Sequence, residues 1–160
     1  MPRRGSASMR SAMLGDIMGL FVMATAARAA ATVASPPDLD RVAAGRTVYQ
    51  QSCASCHGAR GEGARWWQLP DQLGELPAPP HDAAGHTWKH SDAMLYRIIQ
   101  QGWRDPFNKT ERLTMPAFNG QLSRAETIAV VAYLKTLWTP KQRKFQTEES
   151  RGHPFPPEAP

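Results

Sequence analysis

An all-α fold of three to four short helices joined by long loops follows from three observations. Apolar residues recur at helical spacing in three separate segments, each opened by a residue that can cap a helix. Between them run stretches too rich in glycine and proline for regular structure. No stretch alternates apolar and polar residues as a half-buried strand would, and no internal repeat is present.

The chain has 160 residues, enough for one domain with a modest core. Its first residues read as a signal peptide. Arg3, Arg4 and Arg10 form a basic region, Met13 to Ala27 is mostly apolar, and Ala27-Arg28-Ala29 fits a small-x-small cleavage site. Cleavage after Ala34 would fit as well, and Asp16 weakens the apolar run. Those 15 apolar-rich residues fall short of the ~20 of a membrane span. Export with loss of residues 1–29 is therefore expected ahead of retention on an uncleaved anchor. The formal charge is +5, but past residue 29 there are 15 Lys/Arg and 13 Asp/Glu, a net +2. That is no basis for binding nucleic acid, which calls for a basic stripe. It allows only weak steering toward an acidic partner.

Residues 30–37 form a linker with Pro36 and Pro37. Asp38 can cap a helix over about 39–51, in which Val42, Gly45, Arg46 and Tyr49 share helical spacing. Gly45 would cost about 1 kcal/mol relative to Ala in a helix interior, which makes sense where a second helix comes close. Residues 58–90 read as a long loop, through Gly58, Gly61, Gly63, Trp66-Trp67, Pro70, Pro77, Pro79 and Pro80. A second helix is expected over about 92–101. Ser91 or Asp92 caps it, Met94, Leu95, Ile98 and Ile99 form its apolar face, and Gly102 stops it. Residues 103–120 are loop again, with Pro106 and Pro116. Ser123-Arg124-Ala125-Glu126 is a capping box for the last helix. Its face is Ile128, Ala129, Val131, Ala132, Tyr133, Leu134 and Leu137, and Pro140 sets its end. The domain is thus expected over residues 38–139. Residues 140–160 are polar and proline-rich and read as an extended or disordered tail.

The chemistry sits in Cys53-Ala54-Ser55-Cys56-His57. C-x-x-C-H is the attachment signature of c-type haem. Two thiols three positions apart can bond as thioethers to the two vinyl groups on one porphyrin edge. His57 then offers an imidazole nitrogen to the iron as an axial ligand. A redox dithiol would want a βαβ context that is missing. A zinc site would need His81, His86, His90 or His153, which lack zinc-type spacing. A porphyrin would also give the long loop a surface to pack on.

Met115 is the candidate for the second axial position. It lies 58 residues after His57 in a loop, and Pro116 keeps it out of a helical conformation. A thioether ligand favours Fe(II) relative to a second histidine. The competing reading is a gap-filling core methionine, the role expected of Met94. His81, His86 and His90 are the rival ligands.

Taken together, these residues resemble the class I, monohaem cytochrome c family of bacteria. Gly45-Arg46-Thr47-Val48-Tyr49 ahead of the cysteine motif carries the likeness. So does Met115-Pro116-Ala117-Phe118 ahead of a helix with Val131-Ala132-Tyr133-Leu134. The resemblance covers about residues 38–139. It implies a helical fold wrapped around one covalent haem c, with iron held by His57 and Met115. It implies that the first and last helices cross, so that Gly45 and Tyr49 meet the neighbourhood of Tyr133 and Leu134. It implies a proline carbonyl, from Pro79 or Pro80, accepting the His57 ring N–H. Trp88 and His86 could bond a haem propionate. The function implied is one-electron transfer in the periplasm, with no catalytic residue and with transient contacts to other redox proteins. The alternatives are a haem enzyme or gas sensor with a labile sixth ligand, and a haem subunit of a membrane oxidase or dehydrogenase complex.

Overall fold

The computed structural model describes residues 38–157, and these residues form five α-helices and one short 3-10 turn. The expected signal peptide and linker, residues 1–37, lie outside the described residues. No helix among the described residues is long and apolar enough to cross a membrane.

Helix α1 spans Leu39–Ser52. Asp38 opens it by accepting from the Arg41 amide at 3.1 Å. A single turn, α2, Ala54–His57, follows at once and carries the cysteine motif. Helix α3 spans Asp92–Gln101, capped by Ser91. Helix α4 spans Arg124–Thr136 behind the expected capping box, with the Ser123 amide donating to Glu126 Oε2 at 2.8 Å.

The core lies where α1 crosses α4. A Cβ on Gly45 would stand 1.9 Å from the Ala129 carbonyl oxygen, so only glycine lets the two backbones come this close. One turn further along α1, Tyr49 is fully buried, with its ring 5.2 Å from that of Tyr133. Val48, Val130, Val131, Leu134 and Trp138 fill in around this pair, and α3 adds Leu95 and Ile99. Each such side chain contributes roughly 1.5–3 kcal/mol by leaving water. Met94 lies on α3 away from this cluster and is only half-buried.

The C-terminal expectation is corrected. Residues Pro140–Gly152 form a fifth helix, α5, in place of an extended tail. Pro140 does not end the last helix. It stands in the first turn of the next one, where its fixed φ suits and its missing N–H is not needed. Thr139 and Gln142 close a second capping box around it. Polarity hid this helix. Gln146 alone on it is buried, and its Nε2 donates to Asp92 Oδ1 at 2.7 Å and the His90 carbonyl at 3.3 Å. Phe145 adds an edge-on contact to Trp88. Beyond the helix, Arg124 Nη2 donates to the Pro156 carbonyl at 2.6 Å, and Phe155 packs on the core. The 3-10 turn, Thr87–Lys89, interrupts the long 58–90 loop where α5 rests on it.

Candidate functional site

His57 takes its position from the end of α1. The α2 turn swings it inward, and it is 7% exposed. The Tyr49 hydroxyl donates to the Gly58 carbonyl at 2.7 Å, pinning the turn to α1. The Gly63 amide donates to the His57 carbonyl at 2.7 Å. The ring's Nδ1 lies 2.8 Å from the Pro79 carbonyl oxygen. A carbonyl can only accept, so Nδ1 carries the proton and Nε2 keeps its lone pair. Pro80 does not share this role, because its carbonyl accepts from the Thr87 hydroxyl. Burial lowers the His57 pKa, outweighing the Pro79 bond, so the ring is held neutral.

Backbone bonds bring Pro79 to the ring. The Ala64 amide donates to the Ala78 carbonyl at 2.9 Å and the His81 amide to the Gly61 carbonyl at 2.7 Å. Trp138, just past α4, donates from Nε1 to the His81 carbonyl at 2.8 Å. Cys53 is half-buried, Cys56 is exposed, and neither is in a disulfide. Burial, and then the neighbouring Cys56, push the Cys53 thiol up to about 11.

Met115 is held by backbone pairing. Its amide and carbonyl exchange bonds with Trp103 at 3.0 and 2.9 Å, a two-residue bridge just past α3. Gly102 makes room for it: its φ is +77°, and a Cβ there would lie 2.7 Å from the Met115 carbonyl oxygen. The Met115 side chain is half-buried against the core cluster.

The rival histidines are engaged with other side chains. His81 stacks on His57, ring centroids 3.9 Å apart and 28° from parallel. The His81 Nδ1 is 2.9 Å from the Thr87 hydroxyl, and burial, His57 and His86 together hold its pKa well below the ordinary value. His86 stacks on Trp67 and meets His90 edge-on. Trp88 departs from the propionate expectation, since its indole N–H donates to the Gly85 carbonyl at 3.0 Å.

One residue had no sequence signal. Glu75 lies in the long loop yet is only 2% exposed. Its carboxylate accepts from Thr110 Oγ1 and from Arg112 Nε and Nη2. The arginine is 37 residues away in the chain, beyond the reach of any local pattern.

The donors suit a covalently attached haem. They are two unpaired thiols one helical turn apart, an imidazole with its lone pair on Nε2, and a thioether ahead of a proline. Among the described residues, no three His, Cys, Asp or Glu side chains gather as a metal cluster, so the zinc reading finds no ligand set.

Residues 42–138 match the family model for cytochrome c. The CcoP subunit of the cbb3-type cytochrome c oxidase of Azospirillum sp. (strain B510) is 29% identical over 100 residues, 62% of this chain and 30% of that one. The FixP subunit of the cbb3-type oxidase of Bradyrhizobium diazoefficiens is 29% identical over 138 residues, 84% of this chain and 44% of that one. The chain therefore spans less than half the length of these relatives. The crystal structure of cytochrome CL from Methylophaga aminisulfidivorans aligns with a TM-score of 0.42 at 22% identity, over 77% of this chain and 71% of that one.

Proposed function

The chain belongs to the cytochrome c family, and on that premise we propose that it carries single electrons between redox partners, with Cys53 and Cys56 holding one haem c and His57 and Met115 as its axial ligands. When bound, the haem supplies a one-electron Fe(III)/Fe(II) couple. The chain's own part is to hold two donors still. The observation that carries this reading is the His57 ring, buried and neutral, with Nδ1 engaged by Pro79 and Nε2 left to donate. A ring oriented in this way is a stronger and better-aimed ligand than a free one. Met115, tied to Trp103 through both its backbone groups, offers a soft sulfur from a backbone held at that residue. Donors that keep their places in both oxidation states make little demand for rearrangement. The reading asks for no nucleophile or general base.

Attachment of haem c outside the bacterial cytoplasm, together with the signal-like residues 1–29, supports action in the periplasm. If kept, that segment would serve as a membrane anchor. Partners would be other redox proteins, met through small, short-lived contacts.

An optical spectrum of the protein matured with haem tests this, recorded oxidised, reduced, and reduced under carbon monoxide. The expected result is a low-spin spectrum with the weak sulfur-to-iron band when oxidised and no shift with carbon monoxide. Met115→Ala should abolish the sulfur band. A high-spin spectrum that shifts at once with carbon monoxide would overturn the carrier reading in favour of an enzyme or sensor. A second reading, a haem subunit of a larger oxidase, draws on the CcoP and FixP names of the relatives. Co-purification with a membrane oxidase from the native host would favour it.

A further inference from the structure

We infer that Glu75 is a positioning residue for Met115: it ties the loop leading to Pro79 to the loop leading to Met115, and so governs how firmly Met115 stays on the metal. The inference rests on the reading of Met115 as a ligand.

A carboxylate on a surface loop has no need of burial, and burying it is costly unless it is fully paired. Glu75 is buried and paired. Arg112 grips it through Nε and Nη2, the two-pronged geometry that is strongest for this pair, and Thr110 adds a third donor. These bonds hold the Glu75 carboxyl down to about 2, well below its ordinary value.

The loop is built to present this group. Asp71 Oδ1 accepts from the amides of Leu73 and Glu75 at 2.8 and 3.0 Å, closing a tight turn. The facing loop adds backbone and amide contacts. The Lys109 amide donates to the Gly74 carbonyl at 3.0 Å, and the Leu76 amide donates to Asn108 Oδ1 at 2.7 Å. Asn108, 3% exposed, passes the contact on through Nδ2 to Thr114, the neighbour of Met115. Arg104, next to the Trp103 that pairs with Met115, donates to the carbonyls of Thr110 and Asn108 and fixes that loop's shape.

Chain distances give this strut its leverage. Glu75 lies four residues before Pro79, the acceptor for His57, and Arg112 lies three residues before Met115. One side chain therefore joins the two segments that carry or orient the axial donors. Met115 has no helix beneath it, and its own bridge is two residues wide. Without the Glu75 bonds, the hydrogen bonds joining the 104–112 loop to residues 74–76 fall to those of Asn108 and Lys109.

The test uses the full chain matured with haem. Two quantities are read in the wild type and in Glu75→Gln, Glu75→Ala, Arg112→Lys and Glu111→Gln: the pH at which the oxidised protein loses its sulfur-to-iron band, and the rate at which the reduced protein binds carbon monoxide. Glu111 is a control, a 90% exposed carboxylate in the same loop whose solvent-exposed pair with Arg104 lies outside the Glu75–Arg112 contact and is worth little to the fold. Glu75→Ala should speed carbon monoxide binding about tenfold or more and lower the pH of band loss. Glu75→Gln and Arg112→Lys should fall between it and the wild type, and Glu111→Gln should match the wild type. If Glu75→Ala does not fold, Glu75→Gln and Arg112→Lys carry the test. A wild type with the sulfur band and Glu75 or Arg112 variants indistinguishable from it would overturn the strut alone. A wild type without the band would overturn the Met115 reading and the strut with it.

Discussion

His57 and Met115 are held in opposite ways. His57 follows directly from α1, and its turn is pinned by Tyr49, eight residues earlier. Its ring is then set by one backbone carbonyl. Met115 stands on a segment with no helix under it, bridged through its backbone to Trp103 and lying three residues after Arg112, whose guanidinium bonds Glu75 in a distant loop. A donor beside a helix inherits its place from the covalent chain. A donor on a loop depends on polar contacts that single substitutions can remove without unfolding the protein.

The largest effect should come from the frame that both sides share. Gly45→Val places a branched side chain where even a Cβ would meet the Ala129 carbonyl at 1.9 Å. Forcing α1 and α4 apart should cost about 3 kcal/mol or more, and denaturant unfolding would show it. Both donors should suffer together, and an unaltered midpoint would mean that the crossing is looser than described.

On the Met115 side, Gly102→Ala puts a side chain at φ +77°, against the Met115 carbonyl. The strain should cost about 1–2 kcal/mol, and the sulfur-to-iron band should weaken while the haem stays covalently attached. On the His57 side, Tyr49→Phe removes the hydroxyl bond to the Gly58 carbonyl. It should cost about 1 kcal/mol in thermal or denaturant unfolding and leave the sulfur band in place. If Tyr49→Phe weakened the band as much as Gly102→Ala does, the contrast between the two sides would fail.

The mildest effect is present near neutrality and is lost in acid. The Glu75 carboxyl is held to about 2 against an ordinary 4.5. A depressed carboxyl stabilises the fold fully above its unfolded value and ceases to do so as pH falls through its folded one. The stability gap between wild type and Glu75→Gln should therefore hold above pH 4.5 and close between 4.5 and about 2. Urea unfolding across that range would measure it, and a gap independent of pH would mean that the charge on Glu75 is not what stabilises the pair.

Much of the frame was legible because its signals are local. Asp38, Ser91 and the Ser123 box each mark a helix start that the structure keeps. Gly45 in mid-helix announced a close neighbour, and Ala129 is that neighbour. Helix α5 opens on a sound start signal, Thr139-Pro140 with Gln142, but its sequence carries no apolar face for hydrophobic periodicity to show. Its stability comes from Gln146 hydrogen bonds to residues more than fifty positions away. The choice between Pro79 and Pro80 was open for a similar reason. Adjacent prolines look alike in sequence, and only the packing of residues 61–64 against 78–81 turns one carbonyl to the ring.

By itself, the sequence determined the helical class, three of the helix starts and the spacing of the cysteines and His57, since each depends on residues within a turn or two of one another. The tertiary structure decided which proline orients His57, that His81 stacks beside it, that a polar tail becomes a helix, and that Glu75 is drawn inward to Arg112. Each of these depends on partners brought together only when the chain closes, where a hydrogen bond or charge pair between distant residues outweighs what the local sequence prefers.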